Sequence, residues 1–247
     1  MIKVLHKALN ILEFVARHKE GVSLTAIAEK IGEKTTTTSN IVQVLAKRNY
    51  LERKYGKWTL GISAYLITGS TVDYDRALCS IAEPILRSLA TKTAATAVLS
   101  LWRGGERFVL LRIADSSAIT VNRAYMEEKE VYTKATGMVL LSYQDERVID
   151  SYIDANGIPG IKEPSQSAVG SFKESLSLIR RRGYYTREHE QVYASAAPVK
   201  DMNENVSIAV GIYLPQFRIT DKGILTEALL SASKQLEKNL RESAKFK

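Results

Sequence analysis

The feature that most limits how this chain folds is a pair of short helical patterns separated by Gly32. Ser23 is suited to cap the first pattern, Leu24–Ile31, whose apolar residues recur at helical spacing. Glycine tolerates the left-handed conformation that closes a helix, so the first helix is predicted to end at Gly32. The second helix is predicted from about Thr36 to Arg48. Two short helices joined by a tight, glycine-containing turn form a helix-turn-helix unit.

The second of these helices carries a polar stripe along one side. At about 100° per residue, four residues gather on one side and are predicted to pack inward: Thr38, Ile41, Val42 and Leu45. The opposite side carries hydroxyl, amide and ammonium groups and no carboxylate, at Thr36, Asn40, Gln43 and Lys47. A helix that reads the major groove of DNA needs amides and hydroxyls that reach base edges, and a cation near phosphate. A polar stripe is more often only a solvated face, so the neighbouring sequence has to decide.

A basic hairpin is predicted directly after this helix. Leu51–Lys54 and Lys57–Leu60 are predicted as two short strands around the turn Tyr55-Gly56. Residues 34–57 contain six cationic side chains against one carboxylate, Glu52, a local net charge of +5. A helix-turn-helix followed by a cationic β-wing is typical of a winged helix-turn-helix that binds duplex DNA.

Composition narrows the class of protein further. The 247 residues suffice for one large domain or two small ones, and the net charge of +8 favours a polyanionic partner. The single cysteine, Cys79, excludes an internal disulfide framework and a multi-cysteine metal site, which fits a reducing cytoplasm. We find neither a signal-peptide pattern nor 18 uninterrupted apolar residues, so we expect a cytoplasmic protein without a membrane span.

The rest of the chain predicts a domain that mixes helices and strands. Residues 62–77 are predicted as a helical connector, and apolar runs on both sides of Gly104-Gly105 predict a hairpin. Further strands are predicted at 118–122, 130–132, 193–199 and 207–214, and further helices at 2–18, 78–92, 135–143, 146–155, 171–182 and 224–240. For the helix ending at residue 182, Ser171 and Glu174 match a capping box. Strands with flanking helices favour an α+β domain with a largely antiparallel sheet.

These stretches together resemble a known family. KALNILEFV, VSLTAIAEKIG and TTTTSNIVQVLAKRNYLERK…KWTLG are similar to the DNA-binding domain of IclR-type transcriptional regulators. The resemblance continues through EPILRSLATKTAATAVL, ATGMVLLS, LIRRRGYYTREHEQVYASAAPVKD and SIAVGIYLP, and so covers nearly the whole chain. It implies a winged helix-turn-helix at 1–61, a helical linker at 62–77 and a GAF-like effector-binding and oligomerisation domain at 78–247. Asn40 stands where these regulators often carry arginine, so the preferred DNA sequence is expected to differ from that of relatives.

The predicted DNA contacts lie at the start of each helix, along the polar stripe and on the wing. They are Ser23, Lys34, Thr35, Thr36, Thr37, Ser39, Asn40, Gln43, Lys47, Arg53, Lys54 and Lys57. The three wing cations are expected near phosphate. Because one short helix reads too few bases, we expect a homodimer or a dimer of dimers on a palindromic operator of double-stranded DNA.

The resemblance also implies a site for a small organic acid between the sheet and the segment ATGMVLLS. The corresponding positions are Ala135, Gly137, Arg187, Ala194, Gly211 and Tyr213. A guanidinium matches the geometry of a carboxylate, so Arg187 is suited to hold an anion. Where relatives offer polar or thiol side chains, this chain has Ala194, Gly211 and Tyr213, so ligand identity does not carry over. In the alternative interpretation, Arg187 faces solvent and Tyr213 belongs to the core.

Catalysis finds little support in the residues. His189 and Glu190 are a conceivable acid–base pair, but neighbours in an extended segment point to opposite faces. The G-x-S-x-G pattern of a serine nucleophile is absent. We therefore expect a regulator that is not an enzyme, with no catalytic residues, no metal and no cofactor. Two alternatives stay open: a DNA-binding regulator whose larger domain only dimerises, and an α+β hydrolase or transferase with a DNA-binding appendage.

Overall fold

The structure, a computed structural model, describes residues 2–114, 126–127 and 131–244. The chain divides into two compact units, Met1–Tyr74 and Asp75–Lys247. Within the described residues, no helix combines the length and apolar character needed to cross a membrane.

The first unit is a three-helix bundle followed by a hairpin. Its elements are α1 (Lys3–Ala16), α2 (Leu24–Ile31), α3 (Thr35–Lys47), β1 (Leu51–Lys54) and β2 (Lys57–Leu60). The predicted helices and both wing strands are confirmed, with ends that differ by at most two residues. Ser23 caps α2 by accepting a hydrogen bond from the Ala26 N–H, and Gly32 ends it at φ 68°, as predicted. One apolar core joins the helices to β1, built around Ile11, Val15, Ile27, Val42 and Leu51.

The hairpin is attached to the helices through its second strand. Val22 exchanges two backbone hydrogen bonds with Trp58, of 2.9 and 2.8 Å. Gly61 follows β2, and a Cβ at that position would lie 2.3 Å from the Asn49 carbonyl oxygen. The backbone therefore packs closely at the base of the wing, which fixes the direction in which the hairpin leaves the bundle.

The predicted connector and the helix after it form one helix, α4 (Ile62–Thr93), which begins in the first unit and continues in the second. Pro84 lies inside this helix. The helix of the connector is thus confirmed, and it continues directly into the helix predicted at 78–92.

The larger unit is built on an antiparallel sheet. In the described part of the chain its strands are β3 (Thr96–Arg103), β4 (Glu106–Ile113), β5 (Met126–Glu127), β6 (Tyr185–His189), β7 (Val192–Lys200) and β8 (Val206–Pro215). They lie in the order β5-β4-β3-β8-β7-β6. The helices are α4, α5 (Ala135–Ser142), α6 (Glu146–Asn156), α7 (Gln166–Arg182) and α8 (Lys222–Ala244). The predicted α+β class with an antiparallel sheet is confirmed.

Each face of the sheet has its own core. On one face, α4 and α8 cover residues such as Leu99 and Val210 with Leu86 and Leu229. On the other face, α5, α6 and α7 form a second core around Leu140 and Leu176, together with Ala196 and Ala209 of the sheet. We refer to this second surface as the α5 face.

Three details differ from the prediction. Helix α7 begins earlier than the capping box suggested, because Ser165 caps it by accepting from the Ala168 N–H, and Ser171 lies inside the helix. Val131 and Tyr132 lie in a bend and a turn before α5 and do not form a strand. Strand β6 was not predicted, since Tyr185–His189 is polar and only half-buried. The strand predicted at 118–122 lies outside the described residues.

Candidate DNA interface and ligand site

Helix α3 turns its polar stripe outward. Thr38, Val42 and Leu45 are buried, which confirms the predicted inner face. The side chains of Thr36, Asn40, Gln43 and Lys47 are all exposed. Of the other predicted contacts on this helix, Thr35 and Thr37 are exposed and Ser39 is half-buried. Within the first unit, the side of α3 predicted to contact DNA is therefore open to a partner.

The first turn of α3 is suited to an anion. Lys34 is the N-cap residue, and its side chain makes no capping hydrogen bond. The first turn of the helix contains no acidic residue. The hydroxyl of Thr38 donates to the Lys34 carbonyl oxygen at 3.1 Å, so it does not compete for the N–H groups of the first turn. Unpaired N–H groups and the helix dipole together favour negative charge at this end. A phosphate oxygen meets these requirements.

Among the described residues of the helices, three predicted contacts already make side-chain hydrogen bonds inside the protein: Ser23, Ser39 and Gln43. The Ser23 hydroxyl accepts from the Ala26 N–H at 3.2 Å, and its side chain stays exposed. The Gln43 Nε2 group donates to the Ser39 Oγ at 3.4 Å. Both arrangements hold the side chain near one rotamer and leave hydrogen-bonding capacity for a partner, since a hydroxyl both donates and accepts and an amide has a second hydrogen and an oxygen.

The wing carries its cations on exposed positions. Arg53 pairs with Trp58 across the hairpin, and its guanidinium carbon lies 5.9 Å from the centre of the indole ring. The Lys54 ammonium lies 2.6 Å from a carboxylate oxygen of Glu52, and this hydrogen bond raises the pKa of Lys54. Both members of that ion pair are well exposed, so the pair is weak and easily exchanged for phosphate. Lys57 is exposed as well.

In the larger unit, three of the predicted ligand residues form a row across the sheet. Arg187 of β6 pairs with Ala194 of β7, and Ala194 pairs with Tyr213 of β8. Residues directly opposite each other in an antiparallel sheet share a face, and Ala194 packs against the core of the α5 face. The row therefore lies on the α5 face, and both Arg187 and Tyr213 are half-buried there.

The other three predicted ligand residues are used for packing. A Cβ on Gly211 would lie 2.6 Å from Cγ2 of Thr136, and one on Gly137 would lie 2.2 Å from the Val131 carbonyl oxygen. Ala135 is buried in the core of the α5 face. The space that a side chain would fill at either glycine is therefore occupied by protein. These three residues let α5 approach the sheet, and their surface is not open to a ligand.

Arg187 lines a cavity of about 510 Å³ at the edge of the sheet. Its Nη1 donates to the Tyr132 carbonyl oxygen at 2.7 Å, and the cavity wall also includes Thr133, Tyr152 and Lys162. The Tyr132 hydroxyl donates to the Gly157 carbonyl oxygen at 2.5 Å, and burial raises the pKa of Tyr132. A half-buried guanidinium with a lysine in the same wall gives this cavity a positive character.

Two arginines on the α5 face were not among the predicted site residues. Arg107 is 4% exposed, and its Nε donates to the Thr136 Oγ1 at 2.7 Å, an atom that also accepts from Ser100 at 3.1 Å. The guanidinium carbon of Arg112 lies 5.8 Å from the ring centre of Tyr213. Arg112 pairs with Val98, which pairs with Gly211, so Arg112 lies in the row next to that of Tyr213.

A β-bulge explains why these two arginines share a face. Ser100 pairs with Val109 and Leu99 pairs with Leu111, which leaves Leu110 as an extra residue in β4. Strict alternation would place residues 107 and 112 on opposite faces, since they are five apart. The extra residue shifts the alternation by one, so both face α5. The sequence signal that could have identified Arg107 and Arg112 as site residues is the presence of two arginines within an otherwise apolar strand.

His189 and Glu190 lie at an exposed turn. Their closest nitrogen and oxygen atoms are 3.9 Å apart, and their side chains are 61% and 81% exposed. Such exposure offers no pocket in which a substrate would be held beside them.

Comparison with known proteins is consistent across both units. Residues 4–54 match the model of the IclR helix-turn-helix domain, and residues 73–238 match that of the bacterial transcriptional regulator IclR C-terminal domain. The second match alone spans more than half of the chain.

The chain is also similar to individual proteins along most of its length. It is 22% identical to the Escherichia coli (strain K12) transcriptional repressor IclR over 227 residues, which is 89% of this chain and 82% of that protein. It is 22% identical to the acetate operon repressor of Salmonella typhimurium over 244 residues, 95% of this chain and 89% of that protein. A crystal structure of an IclR homolog from Microbacterium hydrocarbonoxydans, complexed with 4-hydroxybenzoate, matches with a TM-score of 0.71 at 18% identity, over 97% of this chain and 99% of that chain.

Proposed function

The chain belongs to the IclR family of bacterial transcriptional regulators, and we propose that it controls transcription by binding paired operator half-sites through α3 and the β1–β2 wing. It is a DNA-binding transcriptional regulator with a C-terminal effector-binding domain. The observation that carries the proposal is the exposure of the hydroxyl, amide and ammonium side of α3 in the same compact unit as a cationic hairpin.

The residues of α3 and the wing have different roles in this proposal. Asn40 and Gln43 read base edges in the major groove, because amides pair with the donor and acceptor groups exposed there. Ser23, Lys34, Thr35, Thr36, Thr37, Ser39 and Lys47 position the helix against phosphate and neighbouring bases. Arg53, Lys54 and Lys57 bring the wing to the flanking backbone. Such contacts carry affinity and its dependence on salt, whereas base contacts carry sequence preference.

We propose that the protein acts as a homodimer or a dimer of dimers on a palindromic operator. The first unit exposes large apolar side chains on two helices: Leu5 and Leu9 on α1 are 56% and 49% exposed, and Leu66 and Ile67 on α4 are 72% and 66% exposed. Apolar side chains as exposed as these can be covered by a partner in a protein–protein interface. Pairing two units would cover them and would place two reading helices on one duplex.

We further propose that the α5 face binds a small carboxylic acid. Arg112, Tyr213 and Arg187 lie on one face of the sheet. The Arg112 guanidinium carbon is 5.8 Å from the centre of the Tyr213 ring, and Arg187 shares the row of Tyr213 two strands away. A guanidinium binds a carboxylate through two parallel hydrogen bonds, and Tyr213 offers a ring surface to the body of the acid. A relative of the same fold binds 4-hydroxybenzoate, which is an acid of this class.

In this proposal the protein has two arrangements, one of which binds DNA better. The acid changes DNA binding because its affinity for these two arrangements differs. Because two relatives are named as repressors, we propose that this protein represses transcription. In this proposal, residues 1–61 bind DNA, 62–77 form the linker, and 78–247 bind the effector and support oligomerisation. The same proposal has the protein act in the cytoplasm, on chromosomal DNA.

Selection of bound sequences from random duplex DNA tests the proposal most directly. We expect an enriched site with two-fold symmetry whose half-sites are one helical turn or a multiple of it apart. Failure to enrich any sequence would remove the DNA-reading role of α3. Enrichment of an asymmetric single site would leave DNA binding in place and would contradict the paired arrangement.

A thermal-shift screen with small carboxylates tests the effector. A ligand that binds only the folded state raises the melting temperature with its concentration. A screen of aliphatic and aromatic acids without any stabilising compound would instead favour a larger unit that only dimerises.

A further inference from the structure

The tip of the wing carries a tyrosine in a backbone conformation that tyrosine rarely adopts. Lys54 pairs with Lys57, so the loop between the strands has two residues, Tyr55 and Gly56. Their φ angles are 49° and 80°. A two-residue loop with both φ angles positive is a type I′ turn, which favours asparagine, aspartate or glycine at its first position. For a bulky aromatic residue this conformation is unusual.

Packing within the protein does not account for the residue. The Tyr55 side chain is 104% exposed. Within the described part of the chain, it forms no hydrogen bond and no ring contact. An asparagine at this position would fit the turn better and lose no intramolecular contact. Unfavourable local geometry of this kind concentrates at functional sites.

The surroundings of Tyr55 show the chemistry of its partner. Lys54 and Lys57 flank the turn, and Arg53 lies one residue further along β1. An exposed aromatic ring between cations suits a polyanion that also offers a narrow apolar surface. In the minor groove of DNA, the sugar walls are apolar, phosphates line both edges, and the floor presents hydrogen-bond acceptors at A·T pairs.

We propose that Tyr55 enters the minor groove next to each half-site and favours A·T pairs there, which rests on the DNA-binding function proposed above. The lysines on either side of the turn contact the phosphates of the two strands. The ring packs against the sugars, and the phenol hydroxyl donates to the adenine N3 or thymine O2 on the floor. A guanine N2 amino group in the same place blocks this contact, because it fills the groove floor with a donor.

The test uses the full-length protein with two variants at Tyr55. The DNA is the duplex obtained by selection, with two changes in the flanking pairs and one control change in the half-site. Flanking A·T pairs are replaced by G·C pairs, or by inosine·cytosine pairs, which lack the guanine amino group and so keep an A·T-like minor groove. The protein variants are Tyr55→Asn, which suits the turn and removes the ring, and Tyr55→Phe, which keeps the ring and removes the hydroxyl. Exchange of a base pair inside the α3 half-site is the positive control for sequence reading.

We expect wild type to bind the G·C-flanked duplex about fivefold or more weakly than the A·T-flanked duplex, and to bind the inosine-flanked duplex like the A·T one. Tyr55→Asn is expected to melt at the same temperature as wild type or higher, to bind the A·T-flanked duplex more weakly and to lose the flank preference. Tyr55→Phe is expected to keep most of the affinity and to show a smaller preference.

Two results would overturn this inference while leaving the proposed function intact: equal binding of Tyr55→Asn and wild type to the A·T-flanked duplex, or unchanged discrimination between flanks in that variant. A preference that follows the major-groove pattern, with inosine·cytosine behaving like G·C, would also overturn it. If wild type binds no duplex in a sequence-dependent way, it is the DNA-reading function itself that fails.

Discussion

Thr136 at the start of α5 lies directly against Gly211 in the middle of β8, and a Cβ on Gly211 would come within 2.6 Å of the Thr136 Cγ2. The same threonine accepts hydrogen bonds from Arg107 and Ser100 through its Oγ1. Its methyl group thus determines how closely α5 approaches the sheet, and its hydroxyl binds the buried arginine.

Replacing Gly211 by alanine is expected to destabilise the larger unit. The added methyl group has to displace the Thr136 side chain, and overpacking of this kind costs about 1–3 kcal/mol. Urea unfolding followed by circular dichroism measures the loss. A second change, Thr136→Ser, removes Cγ2 and keeps the hydroxyl, so it should recover part of the stability in the double variant.

Gly170→Ala is the matched control for this prediction. No atom lies within 4 Å of a Cβ placed on Gly170, which is inside α7. Alanine at a helix interior is about 0.5–1 kcal/mol more favourable than glycine, so this variant should be more stable than wild type. Equal effects of the two alanine substitutions would contradict the steric role assigned to Gly211.

Single alanine variants on α3 and on the wing should weaken DNA binding in different ways. Asn40→Ala and Gln43→Ala each remove a base contact, at a cost of about 1–3 kcal/mol that should appear as relaxed preference at one position of the half-site. Lys57→Ala is expected to weaken binding to all sequences alike and to lower the slope of log K against log salt by about 1. Binding to randomised half-sites at several salt concentrations separates the two patterns, with Lys238→Ala as a charge-matched control outside the first unit. Uniform loss in all three variants would contradict the assigned roles.

Disruption of the exposed apolar surface of the first unit should yield a smaller assembly. A carboxylate at Leu66, in the variant Leu66→Asp, is costly to bury unless it is paired, so the partner surface is no longer covered. Sedimentation velocity is expected to show a lower mass, and operator affinity should fall because the half-sites are no longer bound jointly. Met202→Asp is the control, because Met202 is 61% exposed in the turn between β7 and β8. An unchanged mass for Leu66→Asp would exclude the exposed side of α4 at Leu66 from the interface.

The arginines of the α5 face should control the affinity for a carboxylate. Arg112→Gln and Arg187→Gln are each expected to raise the Kd of a stabilising acid by about tenfold or more, since hydrogen bonds to charged groups contribute about 1.5–3 kcal/mol. Isothermal titration measures this loss, and the melting temperature of each ligand-free variant reports its folding. Arg147→Gln, on the exposed surface of α6, serves as the control. Wild-type affinity in both α5-face variants would place the ligand elsewhere.

The half-buried hydroxyl of Tyr132 predicts a loss of stability at alkaline pH. Burial raises the pKa of Tyr132 above its ordinary value of 10.0, so the folded state holds this proton more tightly than the unfolded state. That contribution is complete below pH 10 and declines as the pH rises above 10 toward the folded-state pKa. We expect the urea midpoint to fall between pH 9 and 11 more steeply in wild type than in Tyr132→Phe. Tyr184→Phe controls for tyrosine removal, and parallel curves for wild type and Tyr132→Phe would refute the role of this hydroxyl.

Much of the first unit was predictable because its signals are local. The caps at Ser23 and Gly32, the spacing of apolar residues in α3 and the Tyr55-Gly56 turn each depend on residues only a few positions apart. The outward side of α3 followed from helical periodicity alone. In the larger unit, the strand at Tyr185–His189 was missed because its residues are polar and lie at the edge of the sheet, where burial imposes little alternation.

The candidate ligand site was only partly predictable. Resemblance indicated Arg187 and Tyr213, and the register of β6, β7 and β8 places them in one row. It also indicated Gly137 and Gly211, whose neighbours fill the space beside them. Which residues of a set face a cavity depends on how closely α5 approaches the sheet, and contacts over long sequence distances determine that approach.

The sequence by itself determined the helix-turn-helix, the cationic wing and the antiparallel class of the larger unit, because periodicity, capping and turn chemistry act over a few residues. Only the tertiary structure decided that Arg107 and Arg112 share the α5 face. Residues five apart in a regular strand point to opposite faces, and the extra residue at Leu110 reverses that alternation. The bulge exists only where β4 pairs with β3, so its effect on the site depends on pairing between strands and not on the local sequence.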